Sequence, residues 1–266
     1  MATQKYSVEV EITGTYWYRE GTKVPHRLGG PAVEHSDSTK EWYLNGQRHR
    51  EDGPAVIWAN GNKEWLQNDL LHRTDGPAIE YTDGSQFWYL NGQRHREDGP
   101  AEIYDNGSLR WYLNDKLHRE DGPAIEYANG SNHWYLDGLL HRVDGPAIEW
   151  ADGAKSWCID GQLHRVGGPA VERLDGTKFW YSNDVIHRED GPAIKWANGD
   201  LEWYLNGQRH REAGPAVKFA NGRNEWWLDG KKVTRQQHKQ LTAAPVEEMT
   251  MAQVEEALGK RIKIIK

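Results

Sequence analysis

A tryptophan recurs every 23 residues along most of this 266-residue chain, and this period constrains the fold more than any other feature. A Gly-Pro-Ala triplet keeps the same place in every full repeat, from Gly30 to Ala216, so the register never slips. Regular self-similarity of this length is typical of stacked supersecondary units. The sequence therefore divides into residues 1–16, a repeat array over 17–231 with nine full repeats and a partial tenth, and residues 232–266. The tryptophans of the series are Trp17, Trp42, Trp65, Trp88, Trp111, Trp134, Trp157, Trp180, Trp203 and Trp226, and the first interval is 25 residues.

Each repeat has the pattern of a β-hairpin. After Gly-Pro-Ala, apolar residues such as Val56 and Trp58 alternate with more polar ones, as in a half-buried strand. An Asn-Gly or Asp-Gly pair such as Asn60-Gly61 follows, and these pairs tolerate the positive φ of a tight turn. A Trp-Tyr-Leu strand comes next, and a second turn such as Asn45-Gly46 leads into His-Arg. The sequence predicts an all-β, elongated antiparallel hairpin array that forms a twisted sheet.

The repeated residues are interpreted as a structural framework. A lone hairpin is marginally stable, so neighbouring repeats are expected to bury each other's tryptophan and leucine rows. In the fourth repeat the framework also includes His95, Asp98, Gly99 and Pro100, with the aspartate expected to cap the Gly-Pro turn and the His-Arg pair to bond open backbone groups. The framework tryptophans are Trp42, Trp65, Trp88, Trp111, Trp134, Trp157, Trp180 and Trp203.

The repeat, WYLNGxxHRxDGPA in outline, resembles the MORN repeat, which is also a 23-residue hairpin, although His-Arg-x-Asp-Gly-Pro-Ala stands where a MORN repeat has a shorter His-Gly motif. Arrays of this type are similar to uncharacterised proteins of tailed phages and large DNA viruses. The resemblance implies a non-catalytic scaffold that binds proteins or lipid head groups. A weaker likeness, through the Trp-Tyr-Leu-Asn strand, is to the choline- and glucan-binding repeats of bacterial surface proteins.

Composition excludes several classes of function. The net charge is −7, with no basic stripe, so nucleic acid is not expected as the main partner. A single cysteine, Cys158, excludes an internal disulfide framework and fits a reducing compartment. No signal peptide and no apolar run of membrane-spanning length is evident. We expect a cytoplasmic protein, in the host cytoplasm if it is viral.

The repeated histidines do not predict a metal site. Equivalent histidines in neighbouring hairpins should lie about 10 Å apart, too far to share a zinc ion. One histidine and one aspartate per repeat are too few ligands for a closed site. Cys158 occupies the tyrosine position of its repeat and is interpreted as a packing substitution. No enzyme, metal or cofactor is expected.

Positions that vary between repeats are the candidate recognition surface. The leading hypothesis is a scaffold that binds, and inhibits, a host or viral protein such as a defence component, while a homo-oligomer is also compatible with the sequence. The alternative is multivalent binding of glycan or lipid head groups by repeated aromatic sites. The candidate binding residues are Leu70, Leu71, Phe87, Ile103, Leu117, Leu139, Leu140 and Phe179, together with a tyrosine row, Tyr89, Tyr112, Tyr135 and Tyr181, expected to face away from the tryptophans.

The two ends depart from the repeat. The segment 6–12 alternates as a strand and is expected to cap the first repeat. Thr234 and Gln237 form a capping-box pattern that predicts a helix. A second short helix is predicted from Thr250 to Gly259, followed by a basic strand over 260–265 that would serve as a docking or capping element.

Overall fold

A computed structural model describes residues 5–243 and 251–259. The chain divides into two compact units, residues 1–186 and 187–266. The described part is nearly all β, and every strand pair in it is antiparallel, which confirms the predicted fold class. The predicted boundaries after residues 16 and 231 stay predictions. The predicted cap at Thr250 and the strand over 260–265 lie outside the described residues.

The first compact unit begins with a hairpin of two six-residue strands, Tyr6–Glu11 and Gly14–Arg19. They pair from Tyr6 opposite Arg19 to Glu11 opposite Gly14. The second strand continues by pairing with Val33–His35 of the first repeat. The N-terminal strand therefore caps the array as expected.

Two short strands per repeat build a continuous ladder within each compact unit. The strand after Gly-Pro-Ala pairs with the next strand of its own repeat, as in Glu102 opposite Arg110. The latter strand then pairs with the following repeat, as in Leu109 opposite Glu126. The strands after Gly-Pro-Ala are Val33–His35, Val56–Ile57, Ile79–Glu80, Glu102–Ile103, Ile125–Glu126, Ile148–Glu149, Val171–Glu172, Ile194–Lys195 and Val217–Lys218. The strands before tryptophan are Lys40–Glu41, Lys63–Glu64, Gln86–Phe87, Leu109–Arg110, Asn132–His133, Lys155–Ser156, Lys178–Phe179, Leu201–Glu202 and Asn224–Leu228.

A second, outer hairpin follows each tryptophan, so each repeat holds two hairpins rather than the single hairpin and return loop that the sequence predicted. The tryptophan joins them: Trp88 donates its N–H to Ala101 and accepts from the N–H of His95. Outer hairpins of successive repeats are also hydrogen-bonded, for example from Gly92 N–H to the Leu71 carbonyl. Their paired strands are Tyr43–Leu44 with Gln47–Arg48, Leu66–Gln67 with Leu70–Leu71, Tyr89–Leu90 with Gln93–Arg94, Tyr112–Leu113 with Lys116–Leu117, Tyr135–Leu136 with Leu139–Leu140, Cys158–Ile159 with Gln162–Leu163, Tyr181–Ser182 with Val185–Ile186, Tyr204–Leu205 with Gln208–Arg209, and the end of Asn224–Leu228 with Lys231–Val233.

The two turns of a repeat differ in backbone geometry. In the outer turn both Asn91 and Gly92 have positive φ, 51° and 81°, as a two-residue type I′ turn requires. In the ladder turn only Gly107 does, with a φ of 85°, while Asn106 accepts the Ser108 N–H on its side chain. Positive φ is therefore found at both residues of this outer turn and only at the glycine of this ladder turn.

The most deeply buried residues are not the tryptophan and leucine rows that the sequence predicted. The alanine of Gly-Pro-Ala is fully buried in all nine repeats, and the next residue, such as Val56, is buried in most. Leu66, Tyr112 and Cys158, which share the tyrosine position, are also buried. The repeat tryptophans are only half-buried. We call the side that carries the tyrosine position the tyrosine face and the side that carries the repeat tryptophans the tryptophan face.

Two helices follow the array. Arg235–Leu241 begins at the Thr234 cap with the capping box to Gln237 in place, which confirms that prediction, and ends at Thr242. The second helix is Met251–Leu258, next to Gly259. Neither described helix is long and apolar enough to cross a membrane.

Candidate functional site

The arginine of each His-Arg pair organises the tryptophan face. The guanidinium of Arg119 lies over the Trp111 ring, 4.0 Å from its centroid. Its Nε donates to Asp121 at 2.8 Å, and its Nη1 donates to the Pro123 carbonyl at 3.2 Å and to Glu126 at 2.8 Å. One side chain thus closes the return loop, satisfies a backbone carbonyl and covers an aromatic ring.

This arrangement recurs along the chain, which explains why the tryptophans need no deeper burial. The distance from the arginine Cζ to the ring centroid stays between 3.8 and 4.3 Å. The pairs are Arg27–Trp17, Arg50–Trp42, Arg73–Trp65, Arg96–Trp88, Arg119–Trp111, Arg142–Trp134, Arg165–Trp157 and Arg211–Trp203.

The guanidinium also explains the glycine of Gly-Pro-Ala. A Cβ added to Gly122 would lie 2.8 Å from Cζ of Arg119, which is closer than atoms pack. Gly122 does not have a positive φ, so backbone conformation does not require glycine there. Glycine occupies this position because the arginine fills the space that a side chain would need.

The aspartate serves the arginine rather than the turn, which corrects the predicted cap. The Asp98 carboxylate accepts from Arg96 Nε at 2.8 Å, and this hydrogen bond lowers the pKa of Asp98. Where Gly167 replaces the aspartate, Arg165 still donates to the Pro169 carbonyl at 3.2 Å. The loop therefore tolerates loss of the aspartate because the arginine keeps its backbone contact.

The side chains of the repeated histidines contact the outer turn of the next repeat, as in His95 and His118. Nδ1 of His95 lies 2.9 Å from Oδ1 of Asn114 in the following outer turn. His118 makes the equivalent contact with Asp137 at 3.1 Å and also accepts the Asp137 backbone N–H. Among residues 5–243 and 251–259, no group of three or more His, Cys, Asp or Glu is arranged to hold a metal ion.

The tyrosine row does not form the exposed surface that the sequence suggested. Tyr112 is buried, and Tyr89, Tyr135 and Tyr181 are half-buried against the core. Burial raises the pKa of Tyr89, Tyr112 and Tyr135. The error arose because the direction opposite to the tryptophans was taken for the outside, whereas the residue after Gly-Pro-Ala packs there, as Val56 does against Leu66.

The other candidate binding residues divide by exposure. Phe87 packs between the rings of Tyr81 and Tyr104, with centroids 5.4 and 5.2 Å away, and Phe179 is buried. Leu70 and Leu139 are 49% and 50% exposed at the outer turns. The remaining candidates, Ile103, Leu71, Leu117 and Leu140, are half-buried. Two of the twelve candidates are thus available to a partner.

Sequence reasoning missed the return-loop rim, the two residues that follow each His-Arg pair. In four successive repeats of the first compact unit the rim is exposed and holds one or two acidic residues: Glu51-Asp52, Thr74-Asp75, Glu97-Asp98 and Glu120-Asp121. The next two repeats have Val143 and Val166 at the glutamate position, 83% and 88% exposed. Aligning this one position across the repeats would have revealed the change. The acidic rim is therefore interrupted by two exposed valines.

Val143 stands at the mouth of a groove between two return loops. The groove has a volume of about 480 Å³ and apolar walls formed by Trp134 and Leu136. Its charged lining consists of Glu120, Asp121 and Asp144 together with Arg119 and Arg142. The equivalent groove of the Trp88 repeat, of about 700 Å³, has Glu97 where Val143 stands. An exposed valine thus replaces a glutamate at this groove.

No protein-family model matches this chain, and no curated protein sequence matches it.

Proposed function

We propose that this chain is a non-catalytic, MORN-like repeat scaffold that recognises a protein through the valine window, defined as Val143, Val166 and the groove beside Val143. The partner presents an aliphatic or aromatic side chain flanked by lysine or arginine. The observation that carries the proposal is the exposure of two valines at a loop position that is acidic in most other repeats.

The repeated residues support a scaffold because their functional groups are used within the array. The arginine, aspartate and histidine side chains bond neighbouring loops and turns, as Arg119, Asp121 and His118 do. Recognition is left to the residues that differ between repeats. Exposed apolar side chains with a polar surround are the usual centre of a protein interface.

The acidic residues beside Val143 indicate what kind of partner would bind there. Glu120 and Asp144 lie on either side of Val143 along the rim and are mostly exposed. Basic residues beside an apolar anchor would complement this pattern and favour encounter with the acidic rim. With the resemblance to phage and viral arrays, the proposal extends to a host or viral protein in the host cytoplasm, with inhibition of a defence component as the activity.

The test uses a random twelve-residue peptide library displayed on phage and selected against the immobilised full chain. We expect enriched peptides to carry an aliphatic or aromatic residue beside lysine or arginine. The double variant V143E/V166E, which restores the common glutamate, should weaken their binding at least about tenfold. The matched control is L28E, at the same loop position of the first repeat, where Leu28 is also exposed.

Two outcomes would overturn the proposal. Peptides that bind V143E/V166E as tightly as the wild type would remove the valine window from recognition. Binding of the chain to a glycan array or to phosphatidylserine vesicles, with no peptide enriched, would favour multivalent small-ligand binding instead.

A further inference from the structure

The N-terminal strand Tyr6–Glu11 leaves one of its backbone edges open. It pairs along its whole length with Gly14–Arg19 on one side. No other described strand pairs with it. It is also one of the two longest strands of the described chain, at six residues. The strand covers the edge of the first repeat, but its own second edge has N–H and C=O groups that no strand within the described residues pairs.

An exposed apolar row follows this open edge. Val8 is 52% exposed, Val10 is 78% exposed and Ile12 is 99% exposed. Because side chains alternate along a strand, Val8 and Val10 lie on one face, while Ile12 lies in the turn that follows the strand. The strand has no proline, bulge or lysine along this edge, and its charged residues are Glu9 and Glu11.

On the opposite face of the strand, the charges are placed for pairing. Glu9 forms an ion pair with Lys23 of its own chain. Glu11 lies near the end of the strand, and Lys5 lies just before its beginning, and both are exposed. The strand therefore has a cation at one end and an anion at the other, which is the pattern that an antiparallel copy of itself would match.

We propose that this edge binds the same strand of a second copy of the chain, antiparallel and centred on Val8. In this register Val8 faces Val8 of the second copy, and Val10 faces Tyr6. Glu9 faces Ser7, and Glu11 faces Lys5 of the second copy, so the dimer gains two symmetric ion pairs. The backbone hydrogen bonds of both open edges are satisfied at the same time.

The neighbouring registers that keep the same faces together are worse. Centring the pair on Glu9 sets two glutamates directly opposite each other. Centring it on Val10 sets Glu9 opposite Glu11 twice, again with like charges opposed. The register centred on Ser7 also opposes no like charges, but it sets Lys5 opposite Glu9, which already pairs with Lys23, and leaves Glu11 unopposed within residues 5–11. The register centred on Val8 is the one that opposes the whole of residues 5–11 without like charges.

The experiment is a charge exchange, followed by sedimentation-equilibrium measurement of self-association in the full chain. K5E and E11K each place like charges opposite each other at both ends of the pair and should weaken dimerisation about tenfold or more. The double variant K5E/E11K restores opposite charges and should recover most of the wild-type affinity. E97K, an exposed charge reversal in a return loop, is the control and should leave the affinity unchanged.

Rescue by the double variant separates this edge from other contacts, since a lost fold or a different interface would not be repaired by a second reversal. A wild-type chain that stays monomeric at about 0.1 mM would overturn the proposal. So would failure of the double variant to recover. The segment 260–265, in which isoleucine alternates with lysine and arginine, is the competing occupant. Loss of dimerisation on removal of residues 260–266 would show that this segment occupies the edge instead.

Discussion

Replacing Gly122 with alanine should destabilise the array through the guanidinium of Arg119 rather than through the backbone. The added Cβ would lie 2.8 Å from Cζ and 3.0 Å from Nε, so the guanidinium has to move. Movement weakens the stacking on Trp111, worth about 0.5–2 kcal/mol. It also weakens the hydrogen bonds to the Pro123 carbonyl and to the partly buried Glu126 carboxylate, each worth about 1 kcal/mol, while the exposed Asp121 carboxylate adds little. We expect a loss of about 2–3 kcal/mol.

The decisive comparison is a double-mutant cycle with Arg119→Ala. Without the guanidinium the space beside Gly122 is empty, and alanine there should be neutral or stabilise by about 0.4–1 kcal/mol, because it restricts the unfolded chain. The free energy of unfolding would be measured by guanidinium denaturation with tryptophan fluorescence. Hydrogen exchange by mass spectrometry would locate the loss near residues 111–147. Equal costs of G122A in both backgrounds would refute the steric explanation.

Three further predictions concern buried groups. Burial, followed by hydrogen bonds to Glu41 and Glu102, raises the pKa of Tyr43 and Tyr104 to about 12. The stability that these neutral phenols contribute is therefore complete below pH 10 and lost as the pH rises through 12, and ultraviolet titration at 295 nm should show two late tyrosines that Y43F and Y104F remove. Burial raises the pKa of Cys158 to about 11, so iodoacetamide should modify it at pH 8 only after denaturant is added. Glu102→Ala should destabilise by roughly 1–3 kcal/mol in thermal unfolding, because two arginines lose a shared buried carboxylate.

Each of these predictions has a contrary outcome. Titration of all twelve tyrosines near pH 10 would show that the tyrosine face is open to water. Rapid alkylation of native Cys158 would contradict its burial. An unchanged melting temperature for Glu102→Ala would mean that the charge cluster contributes no net stability, as some buried ion pairs do not.

The hairpin array was predictable because its signals are local. Three signals each depend on only a few residues: the alternation after Gly-Pro-Ala, the paired turn residues and the capping box at Thr234. The 23-residue period presents the same hairpin pattern nine times. The second hairpin of each repeat was less accessible. Its strands are two residues long, as in Tyr89–Leu90 paired with Gln93–Arg94, and two residues are too short to show an alternating pattern.

Most of the candidate site could not be predicted from the sequence, for a different reason. Tyr112, Phe179 and Leu70 are all apolar residues at variable or aromatic positions, yet the first two are buried and the third is half-exposed. Local pattern says which residues share a face but not which face is covered. That depends on what packs there, and Arg119 over Trp111 shows a charged side chain covering the face that looked most hydrophobic.

The sequence by itself determined the period, the strand direction and the turns, because these follow from backbone preferences that each short segment carries with it. Tertiary structure alone decided which residues are most deeply buried. It also decided why Gly122 cannot carry a side chain, since that depends on where Arg119 of the same return loop lies. It also decided that Val143 and Val166 stay exposed while the tyrosines do not. Exposure is a property of the assembled array, because it is fixed by neighbours that are 20 or more residues away in the chain.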